Sequence, residues 1–169
     1  HHFTLVCRDL TEIAKYARVD TPQFRLLKAC TPGPYTFLLE ATREVPRRLQ
    51  HEKRRTIGIR VPDHPVPQML LAELGEPIMT STLMLPGDEW PLNDADEIES
   101  RLGAQLDALL DGGACGLEPT TVVDLAAPVP VIGGSLSVSA GSTCRVTFQL
   151  VDGKATYPPH VQLTVQCRG

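Results

Sequence analysis

Apolar and polar positions change rhythm several times along this chain, and each change marks an element. Phe3–Cys7 is an apolar run of strand length. Asp9-Leu-Thr-Glu12 has the spacing of a helix-starting capping box, with Asp9 in the capping role. Thr21-Pro22 reads as a cap followed by a first-turn proline, and Phe24, Leu27 and Lys28 follow at helical spacing. Tyr35–Leu39 predicts a strand. Arg43–Glu52 predicts a short helix, with Pro46 tolerable only in its first turn. Thr56–Val61 alternates as a strand does, and Gln68–Leu74 reads as a helix closed by Gly75. Ile78–Leu85 reads as extended. Asp94–Leu110 carries Ile98, Leu102, Leu106 and Leu109 at helical spacing, with Asp94, Asp96 and Glu97 favourably placed at its start. Thr120–Leu125 closes the series as an apolar strand. Strands interleaved with helices imply an α/β fold on a mixed sheet, in an order too irregular for a dinucleotide-binding repeat.

Beyond about residue 126 the rhythm becomes purely two-residue. Residues 126–169 hold one acidic and three basic side chains and no helical periodicity. Leu136/Val138, Val146/Phe148/Leu150 and Val161/Leu163/Val165 alternate with polar residues, and Asp152-Gly153 is a turn signal. The expected organisation is an α/β domain over 1–130 and a short β-rich tail over 131–169. The tail stands either as a β interaction module or as the product of a shifted reading frame. At the other end the chain opens at His1 with no signal-peptide layout, so the expectation is an internal piece of a longer protein that lacks the N-terminal part of its fold.

Composition narrows the function class. The 169 residues are 42% hydrophobic and 21% charged, as in an ordinary globular protein. No apolar run approaches the roughly 18 residues of a membrane span. Five cysteines, at 7, 30, 115, 144 and 167, lack zinc-ligand spacing, so no metal site is expected, and an odd, scattered set suits reduced thiols in a cytoplasm. Cys144 and Cys167 could pair only if the tail folds as a small sheet. The five histidines lack a metalloprotease spacing, and Asp63-His64 would point to opposite faces of a strand.

Net charge is −4, yet residues 43–60 carry seven basic groups against Glu44 and Glu52. That local +5 leaves −9 on the remainder. Such a patch on an acidic molecule suits a specific anionic partner, or else a solvated face; Arg47, Arg48, Lys53, Arg54 and Arg55 are its candidates for RNA contact. Arg60 differs from these. It ends the apolar alternation Ile57-Gly58-Ile59-Arg60, where a permanent charge needs a carboxylate, a phosphate or water. Thr56 lies four residues earlier on the same strand face, and Gly58 between them permits close approach of another group.

Three further segments carry a family resemblance. Thr31-Pro-Gly-Pro-Tyr-Thr-Phe-Leu-Leu39, Lys53–Pro65 and Pro119-Thr-Thr-Val-Val-Asp124 resemble the successive motifs of the YrdC/YciO family, which includes the L-threonylcarbamoyladenylate synthases. Ser81-Thr-Leu-Met-Leu-Pro-Gly87 stands where the synthases carry Ser-Ala-Asn-x-Ser-Gly; this variant and His2–Leu10 resemble the YciO branch. The resemblance covers residues 1 to about 131. It implies a twisted mixed sheet around a concave cavity, and a nucleotidyltransferase that joins bicarbonate to L-threonine and adenylylates the carbamate with ATP and Mg2+, toward tRNA threonylcarbamoyladenosine. Double-stranded RNA binding is also implied. By motif position Thr56, Arg60, Ser81 and Thr121 would line the nucleotide and amino-acid site. Leu83 in place of the motif's Asn, the missing leading segment and the missing closing Arg-bearing strand predict impaired catalysis. The alternative is a non-catalytic RNA- or tRNA-binding module that uses the basic patch.

Overall fold

The computed structural model describes residues 3–113 and 120–127 and the strands 131–133, 144–150 and 161–167. Its main sheet comprises β1 (Thr4–Val6), β2 (Ala17–Arg18), β3 (Tyr35–Ala41), β4 (Thr56–Arg60), β5 (Ile78–Thr80), β6 (Thr121–Asp124) and β7 (Val131–Gly133). The spatial order is β5-β1-β4-β3-β6-β7, with β2 paired to the far end of β3. β1 runs parallel to β4 and β3 parallel to β6; the other pairings are antiparallel. The mixed α/β sheet expected from the sequence is therefore present. A separate two-stranded sheet joins β8 (Cys144–Leu150) to β9 (Val161–Cys167), as the alternation there predicts, whereas Val131–Gly133, expected to belong to the tail, pairs with β6 in the main sheet. The Leu136/Val138 segment and the Asp152-Gly153 turn lie outside the described residues.

Helix α1 (Leu10–Tyr16) starts at Asp9, whose carboxylate accepts the Glu12 N–H at 2.9 Å. The box is not reciprocal: Glu12 turns back one residue further and accepts from the Arg8 N–H at 2.7 Å. Helix α2 (Thr21–Cys30) is capped by Asp20 rather than Thr21. Asp20 accepts from the Gln23 N–H at 2.8 Å while Gln23 accepts from the Asp20 N–H at 2.9 Å. A carboxylate with an amide three residues on satisfies two end donors at once, which a hydroxyl at 21 could not match. Gln23 also donates to the Leu125 carbonyl at 2.8 Å, tying α2 to the end of β6. Helix α3 (Pro65–Leu74) begins three residues earlier than its periodicity indicates, because the His64 Nδ1 caps the Val66 N–H and prolines suit a first turn. It ends at Gly75 in the left-handed region, φ 69°.

Three expectations fail locally. Arg43–Glu52 is not a helix but a loop with one 3-10 turn, Arg47–Leu49. Pro46 disfavours helical backbone at Val45, and Val45 is instead buried under the loop. The extended reading of Ile78–Leu85 holds only for β5; Leu92 N–H to Leu83 carbonyl, 2.9 Å, closes the rest into a loop. The long helix over 94–110 is realised as α4 (Ala95–Leu102), capped by Asp94, with a 3-10 turn at Gly103–Gln105. Gly103 weakens the helix at that point, and Leu106, Leu109 and Leu110 remain exposed, so no burial holds further turns.

The core lies on one face of the sheet. Leu5, Cys7, Phe37, Leu39, Ile57, Ile59, Val61 and Val123 pack there with Ile13 of α1 and Leu27 and Cys30 of α2. Burial pushes the Cys7 thiol up to about 12, with Glu12 and Asp9 adding to the effect. Among the described residues no helix is long and apolar enough to cross a membrane.

Candidate functional site

Strand register decides which side chains share the other face, because successive residues alternate between the two faces. β4 sends Ile57 and Ile59 into the core, so Thr56, Gly58 and Arg60 take the opposite face. Thr4 pairs with Gly58, Leu38 with Gly58, Thr36 with Val122 and Thr80 with Thr4. Thr4, Thr36, Thr80 and Asp124 therefore join Thr56 and Arg60. The environment of Gly58 agrees: a Cβ there would meet Thr4 Oγ1 at 3.4 Å, Thr36 Cγ2 at 3.5 Å and Leu38 Cδ2 at 3.6 Å. Thr36 and Thr120 share a hydroxyl–hydroxyl hydrogen bond of 3.0 Å, and the Thr80 hydroxyl donates to the Thr4 carbonyl at 3.2 Å. One side of the sheet is aliphatic; the other mixes Val6, Leu38, Ile78 and Val122 with threonine hydroxyls and the Arg60 guanidinium.

Arg60 is the electrostatic centre of this face. It is half-buried, its Nε is buried and has no hydrogen-bond partner among the described residues, and desolvation lowers its pKa. The two carboxylates that register places on this face are engaged elsewhere. Glu40 pairs with Arg18 at 3.4 Å, and Asp124 with Arg54. A desolvated donor next to hydroxyls is an arrangement for accepting an oxyanion, since an unmatched buried donor is unfavourable until something accepts from it.

The expected site residues do not all meet. Thr56 is buried beside Gly58 on the polar face, as is the half-buried Arg60. Ser81 is exposed, one residue beyond Thr80 at the end of β5. Thr121 does not join them: it pairs with Tyr35, is buried, and takes the core face with Phe37 and Val123. Its neighbour Thr120 reaches the polar face instead. Thr4, Thr36, Thr80 and Thr120 are not among the residues that sequence reasoning selects. The available signal was a threonine alternating with a core residue on each strand, as Thr4 does with Leu5 and Thr36 with Phe37.

The basic patch sits on the loop between β3 and β4, at the Thr56 end of β4 and so about 13 Å along the strand from Arg60. Arg47, Lys53, Arg54 and Arg55 are exposed there. His51 organises the loop: its Nδ1 accepts from the Lys53 and Arg54 N–H groups, both at 3.3 Å, and Arg55 takes a left-handed turn, φ 52°. Arg54 reaches across β3 to Asp124, which anchors the patch at the margin of the polar face. Arg48 belongs to the 3-10 turn of this loop.

A family profile for Sua5/YciO/YrdC proteins, described as telomere recombination, matches residues 1–132. The chain belongs to the Sua5/YciO/YrdC family. Over 132 residues it is 54% identical to the uncharacterized protein YciO of Escherichia coli K12, a match spanning 78% of this chain and 64% of that protein. This family member thus spans slightly less than two thirds of that relative's length. The crystal structure of E. coli YciO matches with a TM-score of 0.74 at 53% identity, over 79% of this chain and 65% of the other. More distantly, a threonylcarbamoyl-AMP synthase of Serratia proteamaculans is 28% identical over 124 residues, 72% of this chain and 65% of the synthase. The fold is shared with P. abyssi Sua5 complexed with L-threonine, at a TM-score of 0.69 and 22% identity over 77% of this chain and 38% of that one.

Proposed function

We propose that this YciO-type family member binds ATP and a small carboxylate or carbamate substrate on the polar face of its sheet. The observation that carries this reading is Arg60, a desolvated guanidinium whose Nε lacks a partner among the described residues, set on a face of threonine hydroxyls. In the full reaction, bicarbonate joins the amine of L-threonine, the carbamate oxygen attacks the α-phosphorus of ATP, and pyrophosphate leaves. Arg60 would hold developing negative charge, and the hydroxyls of Thr36 and Thr120 would orient the oxyanion, with Thr56 further along the same face for another part of the ligand. Among the described residues no group of three or more His, Cys, Asp or Glu side chains could hold a metal ion. By resemblance to the family, Mg2+ would enter on the phosphates of ATP, as part of the substrate. Likeness to threonylcarbamoyl-AMP synthases supports L-threonine as the amino acid and tRNA threonylcarbamoyladenosine synthesis as the setting, and the odd, scattered cysteines suit a reducing cytoplasm. Leu83 in place of the family's Asn supports weakened catalysis with binding retained.

Titration calorimetry of the full chain with Mg2+-ATP and with L-threonine tests this. Arg60→Ala should lower affinity ten- to a hundredfold, the roughly 1.5–3 kcal/mol of a charge-assisted hydrogen bond. Unchanged affinity for both ligands would remove Arg60 from the site. Threonine- and bicarbonate-dependent pyrophosphate release measures the catalytic half of the reading separately.

A second reading rests on the loop between β3 and β4, where Arg47, Lys53 and Arg55 are exposed. It is a non-catalytic module for double-stranded RNA or tRNA. RNA affinity should then fall steeply with salt, and removing Lys53 or Arg55 should lower the salt slope by about 1 each. Ser81→Ala and Thr121→Ala should leave it unaltered.

A further inference from the structure

The hairpin of β8 and β9 has an unusual register. Cys144 is the direct partner of Cys167, Val146 of Val165, Phe148 of Leu163 and Leu150 of Val161. The intervening pairs are polar: Arg145 with Gln166, Thr147 with Thr164 and Gln149 with Gln162. One face is thus an apolar ladder whose first rung, at the open end of the hairpin, is a pair of cysteines. Directly opposed residues in an antiparallel ladder have Cα atoms about 4.5–5.5 Å apart. That spacing falls within the roughly 4.4–6.8 Å that a disulfide requires. The other cysteines are placed differently. Cys7 and Cys30 are buried in the core, and Cys115 lies outside the described residues.

We propose that Cys144 and Cys167 form a reversible disulfide that staples the tail hairpin. An isolated two-stranded hairpin is marginal in water, and a cross-link between its ends removes much of the entropy of the open chain. The reaction is thiol–disulfide exchange with a low-molecular-weight disulfide such as oxidised glutathione. One cysteine thiolate attacks that disulfide, forming a mixed disulfide and releasing one glutathione thiolate. The second cysteine thiolate then displaces the other glutathione, closing the protein S–S bond. Two electrons pass to glutathione disulfide, and the two protons lost by the cysteines end on two glutathione thiols. The staple closes in an oxidising poise and opens in a reducing one.

The test equilibrates the full chain in glutathione redox buffers, from reducing to oxidising, then alkylates the remaining thiols and maps linked peptides by mass spectrometry. Two alkylatable thiols should be lost at the oxidising end, with Cys144 linked to Cys167. Cys144→Ser and Cys167→Ser should each abolish that link, and protease cleavage within 144–167 should slow only when the link is present. The same titration in urea should scatter the links among all five cysteines. Full alkylation throughout, links chiefly to Cys7, Cys30 or Cys115, or an equal yield of the Cys144–Cys167 link in urea would each overturn the proposal.

Discussion

The two faces of the main sheet are made by the same strands, residue by residue, yet obey different rules. Ile57 and Ile59 on one side of β4 are almost fully buried in an aliphatic core. Thr56, Gly58 and Arg60, interleaved with them, put a hydroxyl and a guanidinium on the other side, and the Arg60 Nε has no hydrogen-bond partner among the described residues. Burial of the first set stabilises the fold. The second leaves a charged donor unmatched, which is the mark of a surface shaped by what binds it. Substitutions on adjacent residues of one strand should therefore separate stability from binding.

The largest effect belongs to the core face. Leu39→Ala should destabilise by about 2–5 kcal/mol in urea unfolding, because a fully buried side chain leaves a cavity. Leu38→Ala, one residue away beside Gly58 and only partly buried, should cost clearly less. Equal losses would mean that both faces are core. Arg60→Ala inverts the pattern, with ligand affinity lost and unfolding stability held or slightly raised, since it deletes a desolvated charge. A large stability loss would show Arg60 to be structural. Next comes the reciprocal cap of α2: Asp20→Ala should lower stability by about 1 kcal/mol with binding intact. Arg54→Ala, which breaks a bridge that is half exposed at Arg54 and mostly buried at Asp124, should cost about 1 kcal/mol and diminish with salt.

Acid should produce the smallest effect. The Glu12 N–H bonded to Asp9 holds that carboxyl below its ordinary 3.8, with Arg8 adding to the effect. A depressed native pKa contributes stability above 3.8 that is lost as pH falls through the native value. Stability of Asp9→Asn should therefore fall less steeply than wild type in that range, as measured by thermal unfolding from pH 5 downward.

Much of this was legible in the chain. β1, β3, β4 and β6 are short apolar or alternating runs, and the starts of α1 and α4 follow from Asp9 and Asp94, because caps and alternation are local. The failures share a cause. The 43–52 loop has helix-compatible residues, but Pro46 opposes a helix there and burial of Val45 holds the loop form. The 94–110 periodicity outruns the burial available, so α4 stops at Leu102. Thr121 fits its motif yet lies on the core face, because the register of β6 against β3, with Tyr35 opposite Thr121, is set by pairing across 86 positions of sequence.

The sequence by itself determined the α/β class, the family, the alternation that makes β4 two-faced, and Arg60 as a charge out of place in an apolar strand. Each depends on residues close together in the chain. Only the tertiary structure decided which hydroxyls surround that charge. Thr4, Thr36, Thr80 and Thr120 come from four separate segments, and they share one surface only because parallel and antiparallel pairings bring their strands into a common register.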